Sequence, residues 1–338
     1  MKFTIGFFLF VGLLTLQANA KPAQPNVILL MLDGVRWQEV FHGSDPLIDA
    51  EVSEPSLFKF LLSQPNGSFF LFGDRLKGSD CTISNKRMIS LPAYQSIMAG
   101  KTTDCTSNSC GRIQLETMQE RILHDLKLKK TDVATFASWD KIPYAVEKSE
   151  GSTFVNAGNQ EVSEGEVDAT TEALNKRQKE DLAPWDARKD DYTFAQAMNY
   201  LKNNKPRFLF ISLNDSDELA HKGRYLQYLS TLKAYDEKMK SLFEGLSALG
   251  EYGKSTTVLI TTDHGRGNAG KWTDHGVDSP ESRFIWIYGK NPTLTAKKTP
   301  VKKGYTHLDI RPTVEKLLGL PPTQCKECGS VIEELTRL

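Results

Sequence analysis

The run Asn26-Val-Ile-Leu-Leu-Met-Leu32 constrains this chain more than any other feature. It holds no charge and stops abruptly at Asp33-Gly34, with Pro25 just before it. A strand with one wet face alternates apolar and polar residues. An unbroken apolar run is instead a strand covered on both faces, as in a parallel sheet. Three comparable runs follow, at Arg207–Leu213, Thr257–Thr262 and Phe284–Tyr288. Between them lie helical patterns such as Leu115–Leu128 and Tyr225–Leu246, the latter with apolar residues at i, i+3 and i+4. Strands alternating with helices predict an α/β fold with a mainly parallel sheet.

The first twenty residues read as a signal peptide. Lys2 is the positive end, Gly6 to Leu16 the apolar run, and Ala18-Asn19-Ala20 the small-residue cleavage pattern. The run is too short to span a bilayer, and Lys21 stands where a lipoprotein would need a cysteine. Export is therefore expected, to the periplasm or outside the cell, without stable membrane insertion. Residues 21–338, 318 in number, read as a single catalytic domain, with about 147–191 as a polar helical insert or cap. Once Lys2 is lost, 41 basic residues face 42 acidic ones. A near-neutral chain without a basic stripe is not expected to bind nucleic acid, so any anion must be recognised locally. In an oxidising compartment the close pairs Cys105/Cys110 and Cys325/Cys328 read as local disulfides, leaving Cys81 over.

Acids and histidines recur where the apolar runs end. Asp33 follows the first run, and Asp217 and His221 follow the second. Asp263-His264 follows the third, and His275 lies just before the fourth. In open α/β sheets, ligands collect beyond the carboxyl ends of the strands, and carboxylate with imidazole suits zinc and related divalent ions. Singly each signal is weak, because an Asp after a strand is usually a turn or cap. The repetition carries the argument. Asp217 and His221 also stand four apart, which brings them to one face of a helix.

Ser90-Leu-Pro-Ala-Tyr-Gln-Ser-Ile-Met-Ala-Gly100 suits a nucleophile at the start of a helix. Pro92 belongs in a first turn and Gly100 after a last one, and backbone N–H groups at such a helix start favour an anion. The plain alternative is that Ser90 only caps the helix.

Together these segments resemble the alkaline phosphatase superfamily, in its nucleotide pyrophosphatase/phosphodiesterase-like or sulfatase-like branch. The resemblance rests on Val27 to Phe41, Ser90 to Gly100, Asn214 to His221, Thr262-Asp-His-Gly265, Trp272-Thr-Asp-His-Gly276 and His307-Leu-Asp-Ile-Arg-Pro-Thr313 to Gly319. It implies a three-layer α/β/α sandwich and two divalent-metal sites, whose ligand types suit zinc first and manganese or iron as well. One site would take Asp33, Ser90, Asp263 and His264, the other Asp217, His221 and His275. Ions about 4 Å apart can clamp the attacking and departing oxygens of a displacement. The implied activity is hydrolysis of a small phosphate ester through a phosphoseryl intermediate at Ser90. The alternative is transfer of a phospho-group or head-group by the same fold, ahead of a sulfatase or an inactive binding protein.

Two departures from the family pattern stand out. The phosphodiesterase branch carries Thr as nucleophile with Asn three residues on; here Ser90 is followed by Ala93. A phosphate-oxygen donor must then come from elsewhere, and Asn85, Lys86, Arg87 and Tyr94 are near in sequence. Sulfatases need Arg four residues after the residue converted to formylglycine, and this chain has Tyr94 there. Arg36, Trp37, Gln38, the Ser138-Trp139-Asp140 stretch, Asn214, Arg266, Lys271 and His307 stay outside the catalytic set.

Overall fold

The computed structural model describes Met1 and residues 24–65, 68–294 and 304–336. The expected signal peptide, beyond Met1, lies outside the described residues. Ten strands form two sheets: β1 (Asn26–Leu32), β2 (Phe70–Phe72), β3 (Asp80–Thr82), β4 (Val133–Ala137), β5 (Phe154–Ala157), β6 (Phe208–Leu213), β7 (Thr256–Thr261), β8 (Phe284–Ile285), β9 (Ile287–Lys290) and β10 (Gly304–Thr306). The large sheet runs β2-β9-β7-β1-β6-β4-β5, and the small one β10-β3-β8. In the large sheet β5, β4, β6, β1 and β7 are mutually parallel.

Every residue of β1 is buried, and its pleat splits the core in two. Ile28, Leu30 and Leu32 enter one apolar cluster, which holds Leu229, Leu232, Met239 and Leu242 of the Tyr225–Ala248 helix. Val27, Leu29 and Met31 enter the other, with Leu91, Tyr94 and Ile97 of the Ser90–Ala99 helix. Alternation of side chains across the strand explains why the run must be apolar throughout. Helices on both faces make the expected three-layer α/β fold.

Two expectations need correction. Phe284–Tyr288 is not one strand of the parallel sheet. Trp286 separates β8, in the small sheet, from β9, which runs antiparallel to β7. Between β7 and β9 lie β8 and two short 3-10 turns but no α-helix, and a parallel pairing needs a long crossover. The 147–191 segment is not wholly helical either: β5 joins the sheet edge beside β4 before the Ala169–Glu180 helix begins. Four residues at an edge leave little periodic signal. Both expected disulfides, Cys105–Cys110 and Cys325–Cys328, are formed, and Cys81 is buried. No described helix is long and apolar enough to cross a membrane.

Because Leu30 is only 1% exposed, Leu30→Ala leaves a cavity under the central strand. It should lower unfolding stability by about 2–5 kcal/mol, read as an earlier urea midpoint with unchanged m-value.

Candidate metal centre

The three central strands deliver their acids to one edge. Asp33 follows β1, Asp263 follows β7 two residues on, and β6 leads through Asn214 into the Asp215–His221 helix that carries Asp217 and His221. Asp33 keeps the ladder going by donating its N–H to Leu213 O at 3.0 Å. Gly34 then turns away with φ +65, where a Cβ would lie 2.5 Å from Asp217 Oδ1. Only glycine lets the two acid-bearing segments approach this closely.

Two groups of donors result. Asp33, Asp263 and His264 form a fully buried one, and Asp217, His221 and His275 form one that opens to solvent at His221. Ser90 belongs with the buried group, its Oγ 3.1 Å from His264 Nε2. It is the first residue of its helix, after Ile89 in the cap position, and its side chain caps nothing. Leu91 N–H is taken by Asn108 Oδ1 at 3.0 Å. The two groups are contiguous, with the rings of His264 and His275 stacked at a centroid distance of 3.9 Å.

Hydrogen bonds fix which ring nitrogens face inward. His264 Nδ1–H donates to Gly265 O at 2.9 Å and His275 Nδ1–H to Met88 O at 2.7 Å. Both Nε2 atoms therefore present lone pairs to the centre, the arrangement that orients metal-binding imidazoles. His264 Nε2 lies 3.6 Å from Asp33 Oδ1 and 3.4 Å from Asp263 Oδ2. His221 Nε2 lies 3.1 Å from His275 Nε2 and 3.2 Å from Asp217 Oδ2. Donors around a tetrahedral ion with bonds of about 2.0 Å are spaced by roughly 3.3 Å, so both groups fit a divalent cation. Asp33 Oδ1 and Asp263 Oδ2, the oxygens facing His264, are also buried without a hydrogen-bond partner. Such orphans are costly unless a cation meets them.

Electrostatics point the same way. Burial, then repulsion from Asp263 and Asp217, holds Asp33 well above the usual carboxylate range. Burial and Asp217 push Asp263 up to about 6. Asp217 goes the other way: burial would raise it, but Arg266, His221 and His275 outweigh that and hold it well below. Burial pushes His264 down to about 4 and His275 to about 3. Both rings are thus neutral near pH 7, and the approach of His264 to two carboxylates is not an ion pair.

The remaining sequence candidates are engaged elsewhere. Arg266 donates to the Asp217 carboxylate and to Thr273 O. Arg36 pairs with Glu39 and Asp45, Trp37 is core, and Gln38 bonds Asn268. Lys271 donates to Asp278 O. Asn85 donates its amide to Ser96 Oγ and Pro92 O and accepts from His307 Nε2. Tyr94 OH donates to Asp33 Oδ2 at 3.1 Å. Asn85 and Tyr94 are therefore not spare phosphate donors.

Sequence reasoning missed Asp190. It opens the Asp190–Asn204 helix and accepts from the backbone N–H of Asn214 and of Asp215, both at 2.8 Å. Ser138 and Tyr235 hydroxyls donate to it as well. Asp190 thereby anchors the start of the helix that carries Asp217 and His221. An acid in a helical first turn carries no signal of that task in sequence.

The sheet and its converging donors define a metal-dependent enzyme of the alkaline phosphatase fold. The chain belongs to the Metalloenzyme superfamily, whose family model matches residues 106–322. That span includes Asp217, His221, Asp263, His264 and His275. Among solved structures it is similar to BT1596, a 2-O GAG sulfatase, with TM-score 0.60 and 13% identity over 93% of this chain and 74% of that one. The lipoteichoic acid synthase LtaP from Listeria monocytogenes gives 0.59 and 14%, covering 93% and 76%. The alkaline phosphatase PafA gives 0.59 and 11%, covering 94% and 100%. No curated protein matches the sequence. Members of the superfamily bind divalent metals, and the two donor groups are where this chain would hold them.

Two outcomes follow from the geometry. Gly34→Ala should lower metal content by elemental analysis, because its Cβ displaces the Asp217 carboxylate, and the left-handed backbone adds about 1–2 kcal/mol of destabilisation. Divalent-ion binding must also release the proton that Asp263 keeps up to about pH 6. Affinity for Zn2+, measured by chelator competition, should fall at least about tenfold per unit below pH 6. A flat profile from pH 5 to 6 would contradict the assignment of Asp263.

Proposed function

We propose that this chain is an exported hydrolase of small phosphate esters with Ser90 as nucleophile. Asp33, Ser90, Asp263 and His264 would hold one divalent ion, and Asp217, His221 and His275 a second, with zinc the best match to the ligand types. Bound there, such ions lower the pKa of an adjacent hydroxyl and neutralise charge gathering on phosphoryl oxygens.

The observation that carries the reading is the placement of Ser90. Its hydroxyl is 4% exposed as a residue, caps no helix, and points at the His264 ring edge. Ser90 Oγ forms a bond to phosphorus while the bond to the leaving oxygen breaks. The serine proton passes to solvent, and the departing oxygen takes one up. Water then cleaves the phosphoseryl ester and restores the hydroxyl. The chain's own residues serve this by orientation. The Ser90 helix is wedged into the core along one face of β1, and Tyr94 ties that helix to Asp33.

Tyr94 also argues against sulfatase chemistry, since it fills the position where formylglycine formation needs an arginine. Export is supported by the leader-like N-terminus and by two short-range disulfides, which persist in oxidising compartments. The near-neutral charge supports a small-molecule substrate rather than nucleic acid.

Ser90→Ala tests the mechanism. Turnover of 4-nitrophenyl phosphate by the zinc-loaded protein should fall by about a thousandfold or more, with the folded circular-dichroism spectrum kept. Hydrolysis at the wild-type rate by this variant would rule the serine mechanism out.

A further inference from the structure

Residues 84–89 form a short strap between β3 and the Ser90 helix, fixed at one end by the buried His307 and at the other by the half-buried His275. Ser84 N–H donates to His307 Nδ1 at 3.2 Å, and His307 Nε2–H donates to Asn85 Oδ1 at 2.7 Å. Asn85 continues the chain to Ser96 Oγ at 3.0 Å and Pro92 O at 3.3 Å, inside the Ser90 helix. At the other end Met88 O accepts from His275 Nδ1–H at 2.7 Å. Lys86 and Arg87 lie between these anchors, both exposed. Neither side chain has a hydrogen-bond or ion-pair partner among the described residues.

That isolation sets them apart from the cations that stand next to the candidate ligands in the chain. Arg266 is spent on Asp217, Arg36 on Glu39 and Asp45, and Lys271 on Asp278 O. Lys222 pairs with Glu218 and covers the Trp185 ring at 4.3 Å. Position 93 holds a buried alanine, so the Ser90 helix offers no amide there.

From this geometry we infer that Lys86 and Arg87 are the substrate-anion donors of the site and bias it toward phosphate monoesters. The inference rests on the phosphate-ester reading above and narrows its substrate class. A monoester carries close to two negative charges near neutral pH, its second ionisation lying near pH 6. A diester carries one. Two uncompensated cations, held on a backbone that is already ordered, favour the more highly charged ester. Arginine adds a planar fork that matches two phosphoryl oxygens.

The test compares 4-nitrophenyl phosphate with bis-4-nitrophenyl phosphate on zinc-loaded wild type, Lys86→Ala, Arg87→Ala, Arg87→Lys and Arg224→Ala. Arg224 is an exposed cation three residues past His221 and controls for long-range attraction. Both strap variants to alanine should lose about tenfold or more in kcat/KM for the monoester, with less than about a threefold change for the diester. Arg87→Lys should recover part of the loss, and Arg224→Ala should leave the ratio of the two esters unchanged. Equal losses on both esters, no loss on either, or a matching loss in Arg224→Ala would each overturn the inference. A wild type that cleaves neither ester would instead overturn the phosphate-ester reading itself.

Discussion

The pairing of β1 with β6 on one side and β7 on the other is the constraint from which the rest of this molecule follows. All three strands are parallel and in register, with Leu30 opposite both Ile211 and Ile260. Parallel neighbours end at the same edge, so the residues just beyond Leu32, Leu213 and Thr261 are brought together by the ladder alone. Within four residues of those ends stand Asp33, Asp217 and Asp263. Water cannot solvate them, because helices cover both faces of the sheet, and few protein cations reach them. Arg266 neutralises Asp217, but Asp33 and Asp263 each keep a buried oxygen without a partner. A sheet built this way concentrates negative charge where only an added cation can balance it.

Holding the donors in place falls to neutral or already compensated groups. His264 and His275 are each pinned through Nδ1 to a backbone carbonyl. Ser216 Oγ donates to Asp33 O at 2.6 Å, tying the Asp217 helix to the end of β1. Asp190 holds the start of that helix through Asn214 and Asp215, while Tyr235 reaches across from the long helix to Asp190. These contacts run across the sheet edge from several elements, so the donor positions depend on the layers being packed together. An isolated strand-and-helix unit would not preserve them.

What could be read in sequence was what had a period or a sharp end. The both-face burial of β1 shows in its unbroken apolar run, and the candidate ligands show because each sits next to such a run. Ser90 shows because proline and glycine mark the helix it opens. The failures have equally physical causes. Phe284–Tyr288 is apolar because it is buried, but burial does not reveal that Trp286 divides it between two sheets. β5 is four residues at an edge, too short for alternation to register. Asp190 and Tyr94 act through partners 24 and 61 positions away, and nothing local to either residue encodes such a distance. Arg266 falls between candidate ligands in sequence, and its partner is a carboxylate of the chain itself.

The two donor groups differ in depth, and that difference gives the site a direction. Asp33, Asp263 and His264 are sealed, each 1% exposed or less, with Ser90 at 4%. The His221 side chain is 40% exposed. On the proposed mechanism, a nucleophile at the sealed end is shielded from competing water, and the open end is where a leaving group would depart and water enter. The strap bearing Lys86 and Arg87 joins these ends, since His275 of the open group holds Met88 and the strap runs directly into Ser90 of the sealed one. The proposed anion donors and the proposed nucleophile would thus be carried by one continuous stretch of chain. A displacement of that strap would therefore be felt at Ser90 and at His275 together, because no flexible segment separates the anchor at Met88 from the helix that begins two residues later.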